Sequence, residues 1–169
     1  MEQQYLYHYT SIYALRHILK DKLLKMSNTG EKVHSLWFST NQLWEISATR
    51  ITITGNDEIK QQSKEEQHEA IGLARIALKN SIQFTSWKNY LKQARIPLAI
   101  SREMENWGNT NEWFCRLKNI PSSQWEKIEI WDGESWIPYS KDYIDTHFPV
   151  SDYDRNKNLS LVDVMCEVF

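Results

Sequence analysis

A histidine and two hydroxyls close the stretch Tyr5-Leu6-Tyr7-His8-Tyr9-Thr10-Ser11. Aromatic and apolar residues alternate with other types along it, the period of a half-buried strand. Directly after it, Ile12, Leu15, Ile18 and Leu19 fall at helical spacing, and Thr10 or Ser11 can cap the first turn. His8 and Thr10 therefore sit where a strand hands over to a helix, a place suited to holding a ligand. A second hydroxyl pair, Ser39-Thr40, ends the apolar run Leu36-Trp37-Phe38. It either lines the same site or caps the turn that follows, in which Asn41 precedes Trp44 and Glu45. A carboxylate, Glu112, comes directly after the turn cluster Gly108-Asn109-Thr110-Asn111 and opens an expected strand, residues 112–117. Arg75 interrupts the apolar run 70–78. A buried arginine needs a partner, so Arg75 either pairs with Glu45 or Glu69 or reaches an anionic ligand.

Further elements must carry these residues. Leu23 to Met26 reads as a short extended piece, and 50–54 alternates cleanly as an edge strand or a flap. Residues 57–69 are polar and charged and read as a surface loop or a solvated helix. Gly72 and the shortness of 70–78 favour a central strand there. Ser86 caps a helix with Trp87, Tyr90, Leu91 and Ala94 on one face, ending before Pro97. A second short helix covers 98–107. Pro121-Ser122-Ser123 opens a single helical turn holding Trp125, and 127–131 and 135–138 flank Asp132-Gly133 as a hairpin. Residues 151–158 read as a polar loop and 159–169 as a last helix or strand.

Composition narrows the classes. The chain of 169 residues suits a single domain, 1–169, with 41% hydrophobic and 25% charged residues, an ordinary globular balance. A formal net charge of -2 supplies no global basic field for nucleic acid. Trp87 to Lys92 mixes aromatics with bases, but its helical spacing reads as a core face with solvated lysines. Eight tryptophans predict aromatic walls or a large aromatic core. Cys115 and Cys166 form no C-x-x-C pattern, and His17, His34, His68 and His147 have no partner pattern, so no metal site is expected. No apolar run is long enough to span a membrane and no signal-peptide pattern opens the chain, so the expected compartment is the cytoplasm.

The order of these pieces resembles the ADP-ribosyltransferase superfamily, in the branch marked by His, then an aromatic, then Glu. YLYHYTSIYALRHILKDKLL is similar to its first motif, LWFST to its second and EWFCRLKNIPSSQWEKIEI to its third. The local flavour is similar to DNA-targeting toxin ADP-ribosyltransferases and to short phage or bacterial effectors. The resemblance covers about residues 4 to 138. It implies an α/β (α+β) fold with a split, mostly antiparallel sheet and flanking helices, whose cleft binds NAD as substrate. It implies that Glu112 is catalytic and bonds the nicotinamide ribose, with His8 on the adenosine ribose. Backbone groups at Tyr9 and the Thr10 hydroxyl would hold the nicotinamide amide, with Ser39 beside them. Phe38 or Trp44 would stack the nicotinamide ring in place of the family's usual tyrosine, apart from the hairpin tryptophans Trp131 and Trp136. In such a site, Arg75 would reach the NAD phosphates unless it pairs with Glu45 or Glu69. The activity implied is mono-ADP-ribosyl transfer to a macromolecular acceptor, protein or nucleic acid, with a target or antidote protein as a further partner. The same scaffold also serves an NAD glycohydrolase or a non-catalytic binding module.

Overall fold

The computed structural model describes residues 5–27, 33–49, 51–53, 59–79, 83–106 and 108–150. In chain order the strands and helices are β1 (Tyr5–Ser11), α1 (Ile12–Asp21), β2 (Leu23–Leu24), β3 (Leu36–Ser39), β4 (Ile51–Ile53), β5 (Ile59–Gln61), α2 (Lys64–Ile71) and β6 (Leu73–Lys79). They continue with β7 (Thr85–Ser86), α3 (Trp87–Ala94), α4 (Leu98–Glu105), β8 (Trp113–Arg116), β9 (Ile120–Pro121), β10 (Trp125–Trp131), β11 (Trp136–Pro138) and α5 (Lys141–His147). The class is mixed α and β, and every strand pair described is antiparallel. The final stretch expected at 151–169, and Cys166 within it, lies outside the described residues.

A seven-stranded sheet runs in the order β11-β10-β6-β1-β3-β8-β7, with β2-β9 and β4-β5 as separate pairs. β1 meets β6 along its whole length, from Tyr5 opposite Lys79 to Ser11 opposite Leu73. It meets β3 at one register pair, Tyr7 opposite Ser39. The sheet is thus two halves joined at a single ladder step, with a seam opening where β1 and β3 part.

Alternation along β1 divides the cores. Leu6 joins Phe38, Ala74, Ile76, Leu78 and Ile130 beneath Ile12 and Leu15 of α1 and Ile144 of α5. Tyr7 and Tyr9 point to the other face, with Ala77, Trp44, Ala48 and Trp136. On the smaller half, Trp37, Trp113 and Cys115 pack against Trp87, Tyr90 and Ala94 of α3. The helical face expected around Trp87 and Tyr90 is therefore core.

Several boundaries differ from the sequence reading. Ser11 caps α1, its Oγ accepting from Ala14 N at 3.0 Å. Ser86 stands at the N-cap of α3 without a side-chain cap bond. The polar stretch 57–69 holds β5 and the start of α2, whose Ser63 and Glu66 form a reciprocal capping box. Local capping there supports a helix that has little apolar stripe of its own. Ala70 and Ile71 belong to α2, so the central strand begins only at Leu73.

Candidate functional site

His8 stands at the seam. Its Nδ1 donates to Trp37 O at 2.9 Å, a side-chain bond across the gap where the backbone ladder stops. Burial lowers the imidazole pKa, opposed by the bond to Trp37. A neutral ring with its proton on Nδ1 leaves the Nε2 lone pair as an acceptor. The ring lies 5.7 Å from that of Phe38.

Glu112 reaches the same strand from the other side. It does not open β8. It ends a 3-10 turn, Thr110–Glu112, capped by Asn109, and the strand starts one residue later. Its backbone O accepts from Thr40 N at 3.0 Å, one step beyond the register pair Ser39–Trp113. Its carboxylate Oε2 accepts from Asn41 Nδ2 at 3.2 Å. Asn41 Oδ1 accepts from Leu43 N and Trp44 N, which settles the amide's orientation and leaves its NH2 toward Glu112. The anchors, Trp37 in β3 for His8 and Thr40 directly after β3 for Glu112, are three residues apart, roughly 10 Å at strand rise.

The remaining site residues divide. Ser39 is buried, and its Oγ accepts from Asn41 N at 3.1 Å, so it caps the turn that positions Asn41. Tyr9 is buried; its phenol donates to Asn41 O at 2.5 Å. Burial holds that phenol well above its ordinary pKa, against the opposing charge of Arg75. Thr10 is half-buried in β1. Phe38 is 3% exposed, with its ring against His8 and Phe84. It belongs to the core cluster with Leu6 and Ile76. Trp44 is half-buried, but it stacks on the hairpin's Trp136 at 6.4 Å and 18°, so it belongs with the tryptophans from which it was expected to stand apart.

Arg75 corrects another expectation. Its partner is neither Glu45 nor Glu69. Its Nε lies 2.7 Å from Glu129 Oε2, and its Nη1 donates to Gln42 O and to the Tyr9 hydroxyl. The guanidinium also lies 4.1 Å from the Tyr7 ring and 4.4 Å from that of Trp136. At 5% exposure, with these partners, it is engaged inside the protein.

A small cavity of about 10 Å³ lies at the seam on the tyrosine face. Its walls are Tyr7, Tyr9, Trp37, Phe38, Ser39, Glu45, Ser47, Ala48 and Trp113, so neither His8 nor Glu112 lines it. The 3-10 turn Ile46–Ala48 roofs it, held by Gln67 Nε2 on Ala48 O at 3.3 Å and Gln61 Nε2 on Ile46 O at 3.2 Å. Trp37, Asn41, Glu45 and Ser47 were not singled out as site residues. The available signal was their position in and directly after the second-motif strand. Among the described residues no cluster of His, Cys, Asp and Glu is placed to hold a metal ion, and no helix is long and apolar enough to cross a membrane. Comparison with family models, curated proteins and solved structures finds no match.

Proposed function

We propose that this protein is a mono-ADP-ribosyltransferase, moving ADP-ribose from NAD to a macromolecular acceptor, protein or nucleic acid, with release of nicotinamide. The observation that carries the reading is that His8 and Glu112, 104 positions apart in sequence, bond to one short stretch of chain, His8 to Trp37 in β3 and Glu112 to Thr40 directly after it. The resemblance of the three motifs supports it.

In this reading the bond between the nicotinamide nitrogen and ribose C1′ breaks, its electron pair leaving with the ring, which departs neutral. Positive charge builds on the ribose, as in glycoside cleavage. The Glu112 carboxylate, oriented by Asn41, stabilises that charge and bonds the ribose hydroxyl. The acceptor's lone pair closes on C1′, and its proton passes to the carboxylate. His8, neutral and with Nε2 as acceptor, takes a hydrogen bond from the adenosine ribose.

The test is incubation with NAD labelled in its adenosine half, with and without cell lysate, for wild type and Glu112→Gln. We expect label on a macromolecule and nicotinamide release. We expect Glu112→Gln to bind NAD nearly normally but turn over about a hundredfold more slowly, the loss of one electrostatic stabiliser. Free ADP-ribose alone would make the protein a hydrolase. Unchanged NAD in every reaction would overturn both enzymatic readings.

A further inference from the structure

Glu45 meets the seam cavity with a carboxylate that is half engaged. The side chain lines the cavity and is 6% exposed. Oε1 is held by its own turn, accepting from Ser47 N at 3.2 Å and from Ser47 Oγ at 2.7 Å. Oε2 is buried with no hydrogen-bond partner among the described residues. A buried carboxylate oxygen without a donor is costly. A second polar group in the same wall has capacity to spare. Ser39 is buried, and its Oγ accepts from Asn41 N at 3.1 Å, which leaves the hydroxyl proton to donate. The rest of the lining is mainly rings, those of Tyr7, Tyr9, Trp37, Phe38 and Trp113.

We propose that the seam cavity is a binding site for one water molecule, which donates to Glu45 Oε2 and accepts from the Ser39 hydroxyl. Size, enclosure and chemistry agree on it. A volume of about 10 Å³ takes a single water and nothing larger. The lining residues other than Ala48 are all buried, so an occupant exchanges slowly with solvent. Buried waters make about two to four hydrogen bonds to polar groups that otherwise lack a partner. One acceptor and one donor meet that need, and the second water proton faces an aromatic wall, a weaker contact. A small cation is the rival occupant, because ring faces attract positive charge. Hard cations take roughly six or more oxygens, however, and this wall offers few. Ser39 Oγ also caps Asn41 N, and Asn41 Nδ2 donates to Glu112. The water thus ties the 46–48 turn, through Glu45, to the hydroxyl that sets Asn41. The site stands whether or not the protein uses NAD.

The experiment is a high-resolution crystal structure of the full chain, with oxygen-17 relaxation dispersion to count long-lived waters in solution, for wild type, Glu45→Gln and Glu45→Met. Circular dichroism confirms that the variants are folded. In wild type we expect one density peak about 2.6–3.2 Å from both Glu45 Oε2 and Ser39 Oγ. Glu45→Gln keeps an oxygen for Ser47 and turns its amide N–H toward the cavity, so the water stays and reverses its bond. Glu45→Met is of similar length but has no strong acceptor. It should lose the peak and the dispersion amplitude of one long-lived water. No peak in wild type overturns the proposal whatever the variants do. A peak ringed by about five or more oxygens overturns it too, since that occupant would be a cation. Peak and amplitude unchanged in folded Glu45→Met would show that Glu45 does not hold the water, and would sink the assignment. If Glu45→Met does not fold, the wild-type density decides.

Discussion

His8 and Glu112 differ in how their side chains are held. Glu112 is half-buried and oriented by a neighbour's amide. His8 is kept neutral by burial, which is the larger influence on its pKa, while its bond to Trp37 works the other way. An unfolded histidine titrates near 6.5, and the folded value here lies below that. As pH falls past about 6.5 the unfolded chain takes up a proton that the folded chain refuses, so stability present above that pH is lost on the way down to the folded value. His8→Asn keeps an N–H at the position of Nδ1 and cannot titrate. Urea denaturation from pH 7.5 to 5 should therefore show wild type losing stability more steeply than His8→Asn. His68, whose pKa burial also lowers, titrates in both proteins and cancels in the comparison. Parallel curves would mean that His8 is not held neutral at the seam.

At the scale of elements, the join from α2 to β6 is the most constrained point. Gly72 has φ 64° and ψ 159°, a conformation essentially limited to glycine. A Cβ there would lie 2.4 Å from Ile12 Cγ1 and 2.9 Å from Phe148 Cε1. Gly72→Ala should cost about 2–5 kcal/mol by urea denaturation, from backbone strain and overpacking together. A loss under about 1 kcal/mol would show that the join relaxes freely. The same join shows why the run 70–78 was only partly legible. Its apolar residues serve two elements in succession, and nothing in their spacing marks Gly72 as the corner. β1, the opening of α1 and the hairpin around Asp132-Gly133 were readable, because alternation, helical spacing and turn chemistry each act locally. The divided sheet followed from resemblance, since register across distant strands leaves no local trace. In the candidate site, His8 and Glu112 drew attention by type and position, whereas the burial of Phe38 and the partner of Arg75 depend on chain brought from far away.

Across the whole molecule, the two halves of the sheet share one ladder pair, so side chains must brace what the backbone does not. The braces converge on residues 41–43, directly after β3. Tyr9 donates to Asn41 O, Arg75 to Gln42 O and Trp136 Nε1 to Leu43 O. Arg75 is the hub, because it also holds Glu129 on β10 and so ties β6, β10 and β1 to the far side of the seam. Removing one partner of a buried pair commonly costs 3–5 kcal/mol, since the other charge is stranded. Lys127 stays 2.8 Å from Glu129 and softens that penalty, so Arg75→Met should cost about 3 kcal/mol. Arg75→Met combined with Glu129→Gln should recover part of it. Arg75→Lys keeps the charge but has no planar fork to reach Glu129, Gln42 and Tyr9 together, and should still destabilise. The same lysine variant separates a brace from a phosphate ligand. If Arg75 braces the seam, folded Arg75→Lys binds NAD as wild type does while its denaturation midpoint falls. A drop in NAD affinity at unchanged stability would instead assign Arg75 to the phosphates, with rearrangement of its bonds to Glu129 and Gln42 on binding.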